Sequence, residues 1–166
     1  MKRLSVITGL LGGLLFVGII AGCASSNGSS VGKFGIKDNV AVGTAAWKVL
    51  AVEKTKTTST GSKAVGMFVF VEMKLKNTSN EAANLTGIEV ELVDADNNTY
   101  NFDSQQNSTF LSSMGKDSVI KGRVEPGETV SGWVAFDIAE TAKEIKMRVR
   151  DLDVTSSKSA LIDLKI

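Results

Sequence analysis

The chain of 166 residues has no histidine, a single cysteine (Cys23) and a single proline (Pro126), and its 19 basic and 18 acidic side chains leave a net charge of only +1. Each shortage closes a line of function. Without histidine, the commonest general base near neutrality and the commonest metal ligand are missing. One thiol excludes an internal disulfide and any multi-thiolate zinc site. The lysines and arginines are scattered among Asp and Glu rather than gathered on one element, so the basic surface that binds nucleic acid is not expected. A serine nucleophile would need a lysine base, and no Ser-x-x-Lys stands in a stretch that reads as helix. The expectation is a protein that is not an enzyme and carries no cofactor.

What the chain does have begins at its N-terminus. Met1, Lys2 and Arg3 form a short positive region, and residues 4–20 form the one long apolar run, softened by glycines and hydroxyl side chains. Ala21 and Gly22 then precede Cys23. A positive start, an apolar middle and small residues at the end are the pattern of an export signal. Losing Lys2 and Arg3 with it would tip the net charge to slightly negative, which implies no electrostatic partner.

Ile20-Ala21-Gly22-Cys23 resembles the lipobox of bacterial lipoproteins, a branched apolar residue and two small residues before the cysteine. Small residues give a signal peptidase access to the backbone, and the thiol must reach a lipid carbon. The resemblance implies that Cys23 becomes the lipidated first residue. Two or more acyl chains, at ~0.8 kcal/mol per buried methylene, would then anchor the domain on the outer side of the cytoplasmic membrane, or in an outer membrane if there is one. The alternative is an uncleaved transmembrane helix over residues 4–22, which is just long enough. Its five glycines and the lack of basic residues at its end speak against it. Both readings place the domain outside the cell.

Residues 24–32, Ala-Ser-Ser-Asn-Gly-Ser-Ser-Val-Gly, read as a flexible linker. From Lys33 the apolar period becomes two. Phe34, Ile36, Val40 and Val42 share one parity with Asp38 interrupting, and Trp47 to Val52 follows after a Gly-Thr break. Val65, Met67, Val69, Val71, Met73 and Leu75 alternate in the strongest strand signal, with Phe68 and Phe70 on the opposite parity. That strand reads as covered on both faces at its start and half-solvated at its end. Ile88, Val90 and Leu92 predict another strand, paired through a turn at residues 94–98 with Thr99 to Phe102. Residues 103–116 predict a long loop with one turn of helix at Phe110, Leu111 and Met114. A short strand over 119–124 precedes the turn Glu125-Pro126-Gly127-Glu128, where Pro presets one central dihedral and Gly takes the positive one. Three more strands follow, at residues 129–138, 145–150 and 160–166. The expected fold is all-β, an immunoglobulin-like antiparallel β-sandwich of about eight or nine strands over residues 33–166, after a signal peptide (1–22) and a lipidated linker (23–32).

Two stretches carry a family likeness. Phe68-Val-Phe-Val-Glu-Met-Lys-Leu-Lys-Asn77-Thr-Ser and Val124-Glu-Pro126-Gly127-Glu128-Thr-Val130-Ser-Gly132-Trp133-Val134-Ala-Phe136-Asp137-Ile138 resemble the immunoglobulin-like domain of unknown function found in exported prokaryotic lipoproteins. That domain is similar in fold to a secreted mycobacterial immunoprotective antigen. The likeness spans residues 33–166. It departs at Asp96-Asn97-Asn98, where the family tends to place Asp-Gly, and in lacking a proline after Ile138.

Few residues are candidates for binding. Asp94, Asp96 and Asn98 occupy positions one, three and five of a calcium loop, but Thr99 stands where a Gly is wanted and Gln105 where a bidentate Glu is wanted. A hairpin turn explains them as well. An acid pair at Asp94 and Asp96 is the remaining catalytic possibility, and perturbed titration of a buried pair would be its first sign. Trp133 lies on the parity of Ser131 and Asp137, which makes it an exposed anchor for a partner or an aromatic under a loop; Trp47, with Val49 and Ala51, reads as core. Asn-x-Ser/Thr matches at Asn77, Asn84, Asn97 and Asn107 read as loop composition. The expected function is a surface lipoprotein presenting a non-catalytic module that binds an unidentified protein or small ligand. The alternative is a ligand- or metal-binding accessory of a transporter or sensor.

Overall fold

The computed structural model describes residues 30–102 and 104–166. Two sheets pack face to face. The four-stranded sheet runs β2 (Val40–Val42), β3 (Ala45–Thr57), β4 (Lys63–Asn77) and β9 (Thr129–Ile138), in that order and antiparallel throughout. The five-stranded sheet runs β1 (Ser30–Gly35), β11 (Ser159–Asp163), β10 (Lys146–Arg150), β6 (Glu91–Val93) and β7 (Thr99–Asn101). A two-residue pair, β5 (Ala83–Asn84) with β8 (Arg123–Val124), closes one flank. The predicted sandwich is therefore the observed one. Its strands number more than expected because the stretch from Phe34 to Val42 divides into β1 and β2 and because β5 is too short to leave a periodic signal.

Inner positions of both sheets interdigitate in one core, among them Trp47, Val49, Val71, Met73 and Leu75 from one side and Leu92, Met147, Val149, Ala160 and Ile162 from the other. Their alternation along each strand is what the period of two encodes. Trp47 is 1% exposed and donates its indole N–H to the Arg150 carbonyl at 2.7 Å, pinning β3 across the sandwich to β10.

Five local expectations are corrected. The interruption at Asp38 is a crossover: β1 and β2 lie in different sheets, and β1 pairs parallel with β11, the one parallel pair among the named strands. Strand β1 also begins at Ser30, inside the stretch read as linker. Ile88 and Val90 are buried but not in a strand, because the Asn84 side chain caps a 3-10 turn at Leu85–Gly87 and the chain joins β6 only at Glu91. Residues 119–122 form no strand; Ser118 alone bridges Trp133 before β8.

The fifth correction matters most. The predicted long loop holds a ten-residue helix, α1 (Ser104–Ser113). Residues 107, 110, 111 and 114 follow the i, i+3, i+4, i+7 spacing of a helical face. The first of them is Asn107, so the apolar stripe looked too short to be a helix. Helix α1 lies on the outer face of the four-stranded sheet, where Leu111, Phe110 and Met114 cover Phe68, Phe70, Ala135 and Trp133 in a second apolar cluster. Phe68 and Phe110 have ring centroids 4.5 Å apart. Here is the cover on the second face that Phe68 and Phe70 demanded.

Candidate functional site

The edge of β9 shows how polar side chains are used in this domain. Left free, its N–H and C=O groups would invite pairing with another chain. The Trp133 N–H donates to the Asp117 carbonyl at 2.8 Å and the Val119 N–H to the Trp133 carbonyl at 3.1 Å. Further along, the Ala135 N–H donates to Asn107 Oδ1 at 2.7 Å. The close approach of residues 117–119 requires Gly132, since a Cβ there would lie 2.7 Å from the Val119 nitrogen and 2.8 Å from the Asp117 oxygen.

Trp133 sits half-buried at the rim of the helix-covered cluster, with the Lys116 ammonium 3.3 Å from its ring centroid. That is a cation–π contact. Lys116 also pairs with Glu53 at 3.0 Å. Ser113-Met-Gly-Lys116 is a Ser-x-x-Lys that straddles the end of α1, a context the sequence did not reveal. Its serine Oγ donates to the Phe110 carbonyl at 2.7 Å and its lysine is held on Trp133 and Glu53, so the two form no nucleophile and base pair.

Asp94 closes the β6–β7 hairpin. It is buried, and its carboxylate accepts from the Asp96 N–H (3.0 Å), the Asn98 N–H (2.8 Å), Asn98 Nδ2 (2.8 Å) and the Tyr100 hydroxyl (3.0 Å). The Asn98 amide foremost, against the opposing effect of burial, holds this carboxyl below its ordinary 3.8. Burial and the Asp94 charge push the Tyr100 hydroxyl up. Asn97 takes the positive φ of 64° that the family meets with Gly, which accounts for the departure noted at Asp96-Asn97-Asn98. The structure thus puts Asp94 and Asn98 together as acceptor and donor of a turn and leaves Asp96 exposed at its tip. Among the described residues no three His, Cys, Asp or Glu side chains converge as metal ligands.

Sequence reasoning singled out neither of two further polar groups. Asp151 is buried at the end of the sandwich where β2 turns into β3. Burial opposes its charge, yet hydrogen bonds from the Thr44 N–H and hydroxyl, each 2.7 Å, prevail and lower its pKa. On the outer face of the five-stranded sheet Glu91 forms ion pairs with Arg148 and, at 3.5 Å, with Arg150. Arg150 Nε lies 3.4 Å from Glu89 without the alignment of a hydrogen bond. Beside them is a cleft of about 360 Å³ lined by Thr86, Ile88, Glu89, Val90, Asn101 and Phe102 among others. Opposite charges on adjacent strands were visible in the sequence; which strands are adjacent was not. Of the glycosylation matches, Asn77 and Asn107 are buried and hydrogen-bonded within the domain.

Ile20, Ala21, Gly22 and Cys23 lie outside the described residues. Among those described, no helix is long and apolar enough to cross a membrane.

Fold and site together define a β-sandwich domain whose buried polar groups hold its own chain. The chain belongs to the family described as Domain of unknown function (DUF4352), which matches residues 34–160. Comparison with curated proteins gave no match. Among solved structures it is similar to a secreted protein of Mycobacterium tuberculosis, MPT63, with 14% identity, TM-score 0.59, and 83% of this chain and 99% of that one covered. It is similar also to the yjhA protein of Bacillus subtilis (14% identity, TM-score 0.57, covering 79% and 99%) and to a conserved hypothetical protein of Bacillus anthracis (24% identity, TM-score 0.52, covering 70% and 87%). At these identities the likeness is one of fold. None of the comparisons points to a catalytic family.

Proposed function

We propose that this protein is a lipid-anchored envelope protein, attached through Cys23, that presents its sandwich as a non-catalytic binding module on the outer side of the membrane. The observation that carries the binding reading is the employment of the buried polar side chains. Asn77, Glu91, Asp94, Asn107 and Asp151 all have partners within the domain, in turns, edges and ion pairs that fix the fold. Such a domain offers its surfaces to partners. The anchor reading is supported by the coincidence of an export signal, small residues and the sole cysteine. Replacing Cys23 by Ala is expected to move the protein from the detergent phase to the aqueous phase in a phase-partition assay. Retention of the variant in detergent refutes the lipid anchor.

The cleft beside Glu89 and Glu91 supports a second reading, an accessory protein that binds a small ligand or a divalent cation there. A bound ion must raise the melting temperature by mass action. An unchanged melting temperature at millimolar calcium removes the cation from this reading.

A further inference from the structure

A row of lysines occupies the outer face of the four-stranded sheet. Lys48 stands directly opposite Lys74, and Lys76 follows one pleat along, opposite Ala46. Their neighbours on β9 are Ser131 and Thr129. Trp47, Val49, Met73 and Leu75 point into the core, so the three lysines between them point outward. Like charges directly opposite on paired strands destabilise a sheet. Among the described residues none of the three forms an ion pair. By register the nearest carboxylate on this face is Glu72, one pleat from Lys74 and opposite Trp133, with Lys116 beyond it. The face is cationic and its charge is left for something outside the chain.

The position of the row says what that is. Strand β1 starts at Ser30 opposite Ala160, beside the Arg150 and Ser159 pair. The bonds from Trp47 to Arg150 and from Thr44 to Asp151 tie that end of β10 to the start of β3. The chain therefore enters the sandwich at the end that carries Lys76. Six residues separate Cys23 from Ser30, and the seven backbone steps between them reach at most ~25 Å when fully extended. A chain held in the bilayer by its N-terminal segment keeps this end close to the lipid. The loops at the tip of the same end expose Glu81, Glu125, Glu128 and Asp153. Against an anionic surface the tip is repelled and the lysine face is attracted.

We propose that Lys48, Lys74 and Lys76 form a docking surface for anionic phospholipid headgroups, on which the tethered domain rests by the end of its four-stranded sheet that α1 leaves uncovered. The inference rests on attachment of the N-terminal segment to the membrane, whether by lipid or by span. Each lysine near such a surface contributes about fivefold to the docked population, roughly a hundredfold for three.

The test uses the full chain reconstituted in vesicles that carry a headgroup quencher, with a reporter tryptophan placed beside Lys76 by Thr129→Trp. In vesicles containing phosphatidylglycerol the reporter is expected to be quenched. The quenching should fade in 1 M salt, where the Debye length falls to ~3 Å. It should also be lost on Lys48→Glu, Lys74→Glu and Lys76→Glu together and be kept on Lys63→Glu with Lys143→Glu. The uncharged set Lys48→Gln, Lys74→Gln and Lys76→Gln should lose it as well. Equal quenching in phosphatidylcholine alone, or quenching indifferent to the three lysines, overturns the proposal. So does an unquenched reporter in a chain that binds soluble polyphosphate through the same lysines, which would assign the face to a polyanion in solution. Because the chain is reconstituted whichever way its N-terminus is held, the result is independent of the Cys23→Ala partition experiment.

Discussion

Asn107 offers the sharpest measure of how the domain protects itself. It is 2% exposed on α1, and its Oδ1 takes the Ala135 N–H of β9 at 2.7 Å, while Nδ2 reaches Ser118 Oγ at a weaker 3.4 Å. Replacing it by Ala strands a buried backbone donor, which costs about 1–3 kcal/mol. Asn107→Leu keeps the branched shape and also removes the acceptor, so it fills the space that Ala would leave while deleting the hydrogen bond. Both variants should lose about 2 kcal/mol, a fall in melting temperature of roughly 6–10 °C for a domain of this size. Thermal unfolding followed by circular dichroism reads this directly, with the exposed Asn80→Ala as a control within about 0.5 kcal/mol. Hydrogen exchange should show the Ala135 amide losing protection before its neighbours on β4. An Asn107→Leu protein as stable as its parent would refute the reasoning, because α1 would then cover β9 by apolar packing alone.

Gly43 has φ of 56°, and a Cβ on it would fall 1.7 Å from Asp151 Oδ2, so Gly43→Ala must displace the carboxylate that holds Thr44. A loss of at least about 2 kcal/mol in urea unfolding is expected, from strain and broken hydrogen bonds together. Phe68→Ala opens the cluster under α1 and should cost about 3–5 kcal/mol, with proteolysis of α1 detectable before global unfolding. Asp94 and Asp151 both titrate below 3.8 in the folded protein, so the unfolded chain takes up protons first on acidification. Their contribution is complete above the ordinary carboxylate range and is lost as pH falls through the depressed values. The urea midpoint should hold steady from pH 7 to about 5 and decline below about 4, less steeply in Asp151→Asn. A midpoint that rises on acidification would contradict this.

The strands were legible wherever one face of a residue pair was buried and the other wet. Met73 to Lys76 and Lys146 to Arg150 alternate in the sequence as they do in the sheets, whereas Phe68 to Val71 and Val134 to Phe136 are buried on both parities and Val65 is fully exposed. The hairpin at Asp94 and the turn at Pro126-Gly127 were legible because their chemistry is local: an Asx carboxylate bonding its own backbone, and a Gly at φ of 77°. Helix α1 was not, since its core-facing stripe begins with a polar residue whose partner lies 28 positions away on β9. Trp133 could be placed on the outer face by parity, but whether that face was open depended on the same helix.

By itself, then, the sequence determined the class of fold and the order of its main strands, because each of these is written in residues close together along the chain. The tertiary structure decided what lies across from what: Asn107 on the edge of β9, Asp151 under Thr44, Glu91 between two arginines, and three lysines sharing a face. These depend on which strands become neighbours, and strand neighbours are chosen by the burial of a whole core, to which no single stretch of sequence holds the key.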